Sequence, residues 1–170
     1  MNRLAPEAVE AEAGPDAGPP LSRMAIAVLA LVGRRVSGYL SLYNNGLLGV
    51  IQCGIGGCMV VQSSAYAWFP PRTISDVGVP VALMGIFAYA TLFGLAIAGV
   101  QPGRVASRGI AIAIFALSAV GLVFSAWLTY LEAAVIHAWC QWCVVSAIII
   151  TVIFVLSIPG FRAARRPGAT

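Results

Sequence analysis

Four long apolar stretches constrain the fold of this chain more than any other feature of its sequence. They cover residues 24–43, 79–100, 109–130 and 139–158, and each has the roughly 20 residues that a helix needs to cross the hydrocarbon core of a bilayer. The mean hydropathy of +0.92, with only 9% charged residues, excludes an ordinary water-soluble domain. The sequence therefore predicts an all-α membrane protein, a four-transmembrane-helix bundle.

The segments that flank the bundle differ from it in composition. Residues 1–22 are acidic and rich in Pro, Ala and Gly, which predicts a disordered tail. Residues 159–170 are basic and predict a second short tail. The membrane domain is therefore expected to cover residues 23–158.

All ten basic residues are arginines, and their placement predicts the orientation of the helices. Arg72 is the only arginine in the loops at residues 44–78 and 131–138. Because arginine-rich ends remain in the cytoplasm, both termini are expected there and all four cysteines on the extracytoplasmic side. The net charge of +4 is spread over ends and loops, so we expect contact with membrane lipid and not with nucleic acid. The arginines on the cytoplasmic side are Arg3, Arg23, Arg104, Arg108, Arg162, Arg165 and Arg166.

Arg34 and Arg35 do not fit this pattern, because they fall near the middle of the first apolar stretch, about 16 Å along a helix. Each would cost about 2.5–3.5 kcal/mol at the bilayer centre. Two explanations stay open: the guanidinium groups extend towards the interface, or the first helix begins later than residue 24. The sequence assigns no role to this pair.

The four cysteines form two tight pairs that lie about half the chain apart. Cys140 and Cys143, in "AWCQWC", begin the fourth apolar stretch, where the helix N-terminus favours a thiolate at Cys140. Cys143 lies one turn deeper in the apolar layer. Cys53 and Cys58 enclose three glycines in "CGIGGC", which predicts a flexible extracytoplasmic loop between the first two helices. Such a loop can bring a sulfur to different exchange partners, so the two pairs predict a thiol–disulfide relay.

Two other functions for the cysteines stay open. The protein could be a non-catalytic membrane scaffold with two structural disulfides, or a metal-binding membrane protein with a four-cysteine zinc site. Disulfides that close such small rings add little stability, and the Cys-x-x-Cys spacing at a helix start is typical of redox sites. Zinc sites usually have two short Cys-x-x-Cys pairs, whereas one spacer here has four residues. We therefore expect no metal.

Four segments together resemble the vitamin K epoxide reductase family, in its bacterial disulfide-forming branch. They are "GRRVSGYL", "CGIGGCMVVQSSAYA", "GVPVALMGIFAYA" and "CQWC", in that order. The resemblance implies a quinone-linked oxidoreductase in the bacterial inner (cytoplasmic) membrane, with a redox-active centre that supports disulfide bond formation. The acceptor it implies is ubiquinone or menaquinone.

The resemblance also implies a role for individual residues. Cys140 and Cys143 become the active-site pair, with Cys143 next to the quinone ring. Cys53 becomes the residue that meets the external dithiol, and Cys58 forms the transient bridge to Cys140. Ser64 matches a family serine near the active site, whose hydroxyl can hydrogen-bond a reaction intermediate.

The sequence departs from the family pattern at several positions. An acidic residue often follows the second loop cysteine, but Met59 stands there. The residues that hydrogen-bond the ring in animal members align with Val81 and Ala147, so epoxide reduction is in doubt. Many bacterial members carry a fused thioredoxin-fold domain, and we expect none here because only twelve residues follow the last apolar stretch. We therefore expect a separate thioredoxin-fold redox protein as partner.

The remaining polar and aromatic residues near the cysteines are expected to have ordinary roles. His137 is interpreted as a solvated loop residue, with proton transfer as the alternative. Trp139 is interpreted as a membrane anchor, whereas Trp142 is a candidate wall for the quinone ring. Glu132 and Asp76 are expected to be solvated surface residues, and neither is assigned a role.

Overall fold

The computed structural model describes residues 20–54, 56–74, 78–101 and 107–165. Two short strands, β1 (Trp68–Phe69) and β2 (Val79–Pro80), pair antiparallel. A 3-10 turn covers Ala65–Ala67, and a π-helical turn, Glu132–Ile136, extends the fourth α-helix. The α-helices are α1 (Pro20–Asn44), α2 (Cys58–Ser63), α3 (Val81–Ala98), α4 (Arg108–Leu131) and α5 (Gln141–Ala164).

Four helices are long and apolar enough to cross a membrane, which confirms the predicted four-helix membrane fold. They are Leu21–Asn44, Val81–Ala98, Arg108–Ile136 and Gln141–Ala164. The third is longer than expected, because the π-helical turn continues α4 into residues that the sequence places in a loop.

Helices extend into both segments that the sequence predicts as tails. At the C-terminal end α5 continues to Ala164 although Pro159 lies within it. The ring of Phe161 stacks on Phe115 of α4 at 3.9 Å between centroids, which holds the last turns of α5 against the bundle. The other parts of the predicted tails, residues 1–19 and 166–170, lie outside the described residues.

The structure excludes one of the two explanations for Arg34 and Arg35. Since α1 begins at Pro20, the explanation that the helix begins later is wrong. Both arginines are exposed on the surface of α1. They lie level with the middle of α3, because Gly33 of α1 packs against Tyr89.

The bundle is held together by an apolar core that all four long helices share. α1 packs most extensively on α3 and also on α5, while α4 packs on α5 and α3. The core residues with no exposed surface are Ala30, Leu92, Ala96 and Ile153. Gly33 lets α1 and α3 come close at Tyr89, since a Cβ atom on Gly33 would lie 2.5 Å from the Tyr89 ring. Side-chain packing of this kind stabilises helix contacts inside a membrane.

Arginine side chains bind backbone carbonyls at one end of the bundle. Arg23 donates to the carbonyl of Gly99, and Nε of Arg108 donates to the carbonyl of Ala164 at 2.8 Å. Each bond joins one helix to the end of another. We refer to the opposite end, where α1 ends and α3 and α5 begin, as the cysteine end.

We predict that Leu92→Ala destabilises the bundle by about 2 kcal/mol or more, because it leaves a cavity in the core. Ile97→Ala is the matched control on the same helix, since Ile97 is 44% exposed whereas Leu92 is 0% exposed. Thermal denaturation of the purified protein in detergent measures both changes. An equal effect of the two substitutions would contradict the core described above.

Candidate functional site

The glycine-rich segment between Cys53 and Cys58 is docked on the residues that precede α5. The N–H of Gly57 donates to the Trp139 carbonyl at 2.9 Å, and Gly56 and Cys140 form an isolated antiparallel bridge. Gly56 has a φ of +100°, and a Cβ atom there would lie 2.4 Å from the Trp139 oxygen. The glycine is therefore required by both its backbone conformation and this close approach.

This docking places the two cysteine pairs in one cluster at the cysteine end. Cys53 and Cys58 form a disulfide, with 6.3 Å between their Cα atoms, whereas Cys140 and Cys143 are free thiols. Cys58 and Cys140 belong to the same buried apolar cluster and are 1% and 0% exposed. Cys53 is partly exposed. Cys53 and Cys143 are thus half-buried, whereas Cys58 and Cys140 are buried.

Side-chain hydrogen bonds tie the disulfide loop to α5. The amide N–H of Gly54 donates to Oε1 of Gln141 at 3.1 Å. The indole Nε1 of Trp142 donates to the Gln52 carbonyl at 2.9 Å, and the Gln52 N–H donates to the Tyr39 hydroxyl at 2.8 Å. The Tyr39 and Trp142 rings pack at 5.3 Å between centroids. The loop that the sequence predicts to be flexible is therefore held at several points in this structure.

Cys140 lies just before α5 and has the character of an activated thiol. A hydrogen bond donated by the Cys143 thiol lowers the pKa of Cys140 to about 7, against the opposing effect of burial. The side-chain amide of Gln62 also contacts this sulfur at 3.9 Å and that of Cys143 at 3.7 Å. Because the thiolate is the nucleophile in disulfide exchange, Cys140 is suited to attack a neighbouring disulfide near neutral pH.

Glu132 is not the solvated surface residue that the sequence suggests. Its side chain is only 3% exposed, and its Oε2 accepts the N–H of Cys140 at 3.1 Å. The single proton of the Cys143 thiol can be donated to this carboxyl group or to the Cys140 sulfur. The chain turns back after α4 through the π-helical turn and a left-handed His137 at φ 54°. This turn brings the Glu132 side chain next to the backbone of Cys140. Sequence reasoning missed this residue, although an acidic residue at the end of an apolar stretch was a usable signal.

A mostly apolar cavity of about 310 Å³ lies below the cysteine pairs, between the long helices. Such cavities with a few polar groups are typical of small-molecule sites. α5 contributes Cys143, Ser146 and Ile150, which are spaced at three and four residues and so share one helix face. The polar groups on its wall are Ser37, Gln62, Ser64, Tyr66, Tyr89, Ser125, Thr129, Glu132, Cys143 and Ser146.

The structure places the predicted site residues in different surroundings. Cys143, Ser64 and Val81 line the cavity, and Ser64 donates its hydroxyl to the Val61 carbonyl at 2.6 Å. Trp142 and Ala147 are not among the lining residues. The bond from Trp142 to the Gln52 carbonyl turns its indole towards the loop, and Ser146 takes the position on the cavity wall that was expected for Ala147.

The remaining candidates are His137, Asp76 and a metal site. His137 is exposed, and its ring nitrogen contacts only the nearby Val135 carbonyl at 3.2 Å among the described residues. Asp76 lies outside the described residues. Across the part of the chain that the structure describes, no three His, Cys, Asp or Glu side chains are grouped as metal ligands.

An activated thiol with a second thiol beside it, an adjoining disulfide and an apolar cavity inside a four-helix bundle define a membrane redox protein. The model of the Vitamin K epoxide reductase family matches residues 24–158, and the chain belongs to this family. Its members are oxidoreductases that act in membranes through cysteines, and the family uses quinones. The family resemblance of the sequence is thereby confirmed, and its assignment to the bacterial branch stays a prediction.

We predict that removing the hydrogen bond from Cys143 raises the pKa of Cys140 by about one unit or more. Cys143→Ala removes the donor, whereas the hydroxyl of Cys143→Ser keeps one. Both changes are made in a chain with Cys53→Ser and Cys58→Ser, so that Cys140 is the sole thiol. The rate of alkylation as a function of pH gives the pKa of Cys140. Equal values for the two variants would show that Cys143 is not the cause.

Proposed function

We propose that this protein is a quinone-linked thiol oxidase that passes electrons from an extracytoplasmic thioredoxin-fold dithiol to a membrane quinone and so supports disulfide bond formation. One observation carries the proposal: the disulfide loop is docked directly on a reduced Cys140–Cys143 pair whose inner member lines an apolar cavity. A relay needs each of these parts in this order. Two structural disulfides would not need Cys143 on a cavity wall.

The proposed reaction has three balanced steps. The partner dithiol reduces the Cys53–Cys58 disulfide and becomes a disulfide itself. The two loop thiols then reduce a Cys140–Cys143 disulfide by exchange between Cys58 and Cys140. Finally, Cys140 and Cys143 form their disulfide again, and their two electrons and two protons reduce the quinone to a hydroquinone. The structure corresponds to the stage before this last step, with the loop oxidised and the α5 pair reduced.

The cavity fits a quinone ring in volume and chemistry. Its wall is mostly apolar, as a flat hydrophobic ring requires, and Cys143 lies on it. Ser64 and Gln62 are polar residues on the same wall as Cys143. A bound quinone supplies the two-electron acceptor for the thiol pair. Either ubiquinone or menaquinone has the required chemistry.

The partly exposed position of Cys53 supports its role as the residue that meets the partner. Cys58 and Cys140 are buried, so a large protein cannot reach them without movement of the loop. A thioredoxin-fold protein presents its own Cys-x-x-Cys pair at its surface, which suits attack on an accessible sulfur. We place the cysteine end outside the bacterial inner membrane, with both termini in the cytoplasm. There, disulfides persist and the arginine-rich end faces inward.

We predict that the four cysteines are not equivalent. Cys143→Ser removes the thiol that resolves the exchange, so a Cys58–Cys140 disulfide should accumulate. A protease site inserted between α3 and α4 would then give two fragments that stay linked without reductant. Cys53→Ser should leave the Cys140–Cys143 pair reactive but abolish oxidation of the partner.

Non-reducing electrophoresis after thiol trapping distinguishes these species, and Cys53→Ser serves as the matched control for Cys143→Ser. Linked fragments in the Cys143→Ser protein alone support the ordered relay. The same species in both variants, or linked fragments in neither, would contradict it. Oxidation of a reduced thioredoxin-fold protein by the unsubstituted protein, with quinone present, tests the overall reaction.

A further inference from the structure

Among the residues that the structure describes, Glu132 is the one acidic residue on a membrane-spanning helix. The other five acidic residues of the sequence, four in the first 16 positions and Asp76, lie outside the described residues, whereas Glu132 lies in the span Arg108–Ile136. Its side chain is 3% exposed. Ionisable residues inside membrane segments are costly and commonly belong to proton or ion pathways. A buried carboxyl group at this position therefore calls for a function.

The contacts of Glu132 place it between the reacting sulfurs and the cavity. Its Oε2 accepts the backbone N–H of Cys140 at 3.1 Å, and the Cys143 thiol lies near the same carboxyl group. The side chain also lines the cavity. The other titratable side chains on that wall are Cys143 from α5, Tyr66 from the 3-10 turn and Tyr89 from α3.

We propose that Glu132 is a catalytic residue that carries a proton from the Cys143 thiol to the acceptor in the cavity. The inference rests on the proposed function, in which two thiols must lose two protons. The Glu132 carboxylate takes the Cys143 proton, and the two electrons of the thiol pair pass to the quinone as the Cys140–Cys143 disulfide forms. The carboxyl group then gives its proton to a ring oxygen. The proton of Cys140 leaves to water, and water supplies the second proton of the hydroquinone.

A purely structural role for Glu132 is the alternative. The carboxyl oxygen satisfies the N–H of Cys140 at the start of α5, and this alone would stabilise the turn. The two roles are separable, because Glu132→Gln keeps an oxygen that accepts this N–H but cannot carry a proton. Glu132→Asp keeps an acid that is one methylene shorter.

The test measures quinone-driven oxidation of the Cys140–Cys143 pair as a function of pH. We expect Glu132→Gln to lower the rate by about 100-fold, the lower end of the range for general acid–base catalysis. The residual rate should increase with pH, because the thiol proton must then leave directly to hydroxide. Glu132→Asp should retain more activity than Glu132→Gln. Tyr130→Phe is the matched control, since Tyr130 is 59% exposed on the same span and does not line the cavity, and it should leave rate and pH profile unchanged.

A second readout needs no quinone. Infrared difference spectra of the purified protein, taken as a small disulfide reagent oxidises the Cys140–Cys143 pair, should show a change in a carboxyl C=O band that Glu132→Gln abolishes. An unchanged rate and pH profile in Glu132→Gln, or a carboxyl band that does not respond to the thiols, would overturn the role of Glu132 alone. If quinone fails to oxidise the pair in the unsubstituted protein, the proposed function fails as well.

Discussion

The site depends on the contact between the glycine-rich loop and the residues before α5. The bond from Gly57 to the Trp139 carbonyl and the bridge between Gly56 and Cys140 bring two cysteine pairs together from distant parts of the chain. Without this contact Cys58 would not share a buried cluster with Cys140. Backbone groups make the contact, so it constrains the main chain and leaves the sulfurs free to exchange.

A second constraint comes from the polar groups at the cysteine end of an otherwise apolar bundle. Gln62 and Glu132 both contact the Cys140–Cys143 pair, one from α2 and the other from the turn after α4. Because buried polar groups need partners, these contacts also fix the positions of the elements that carry them. The same residues therefore stabilise the cysteine end and determine the reactivity of the thiols.

The fold was largely predictable because membrane helices are specified by composition and length. The apolar stretches at residues 79–100 and 109–130 could be recognised without any knowledge of their packing. The cysteine pairs were equally recognisable, since their spacing is local. The burial of Glu132 and the orientation of Trp142 were not. The orientation of Trp142 depends on its bond to the Gln52 carbonyl, and the burial of Glu132 depends on the π-helical turn and the left-handed His137. Such turns reflect tertiary contacts that no local pattern records.

The most direct test of the account is the redox state of the Cys140–Cys143 pair when a quinone is added to purified protein in which the loop disulfide is formed and this pair is reduced. Mass spectrometry after thiol alkylation counts the free thiols on the peptide that contains both residues. The account predicts that quinone converts this peptide from two alkylated thiols to an internal disulfide, and that the oxidised loop pair is unaffected. Identical alkylation with and without quinone, in protein whose loop still exchanges with an added dithiol, would contradict it.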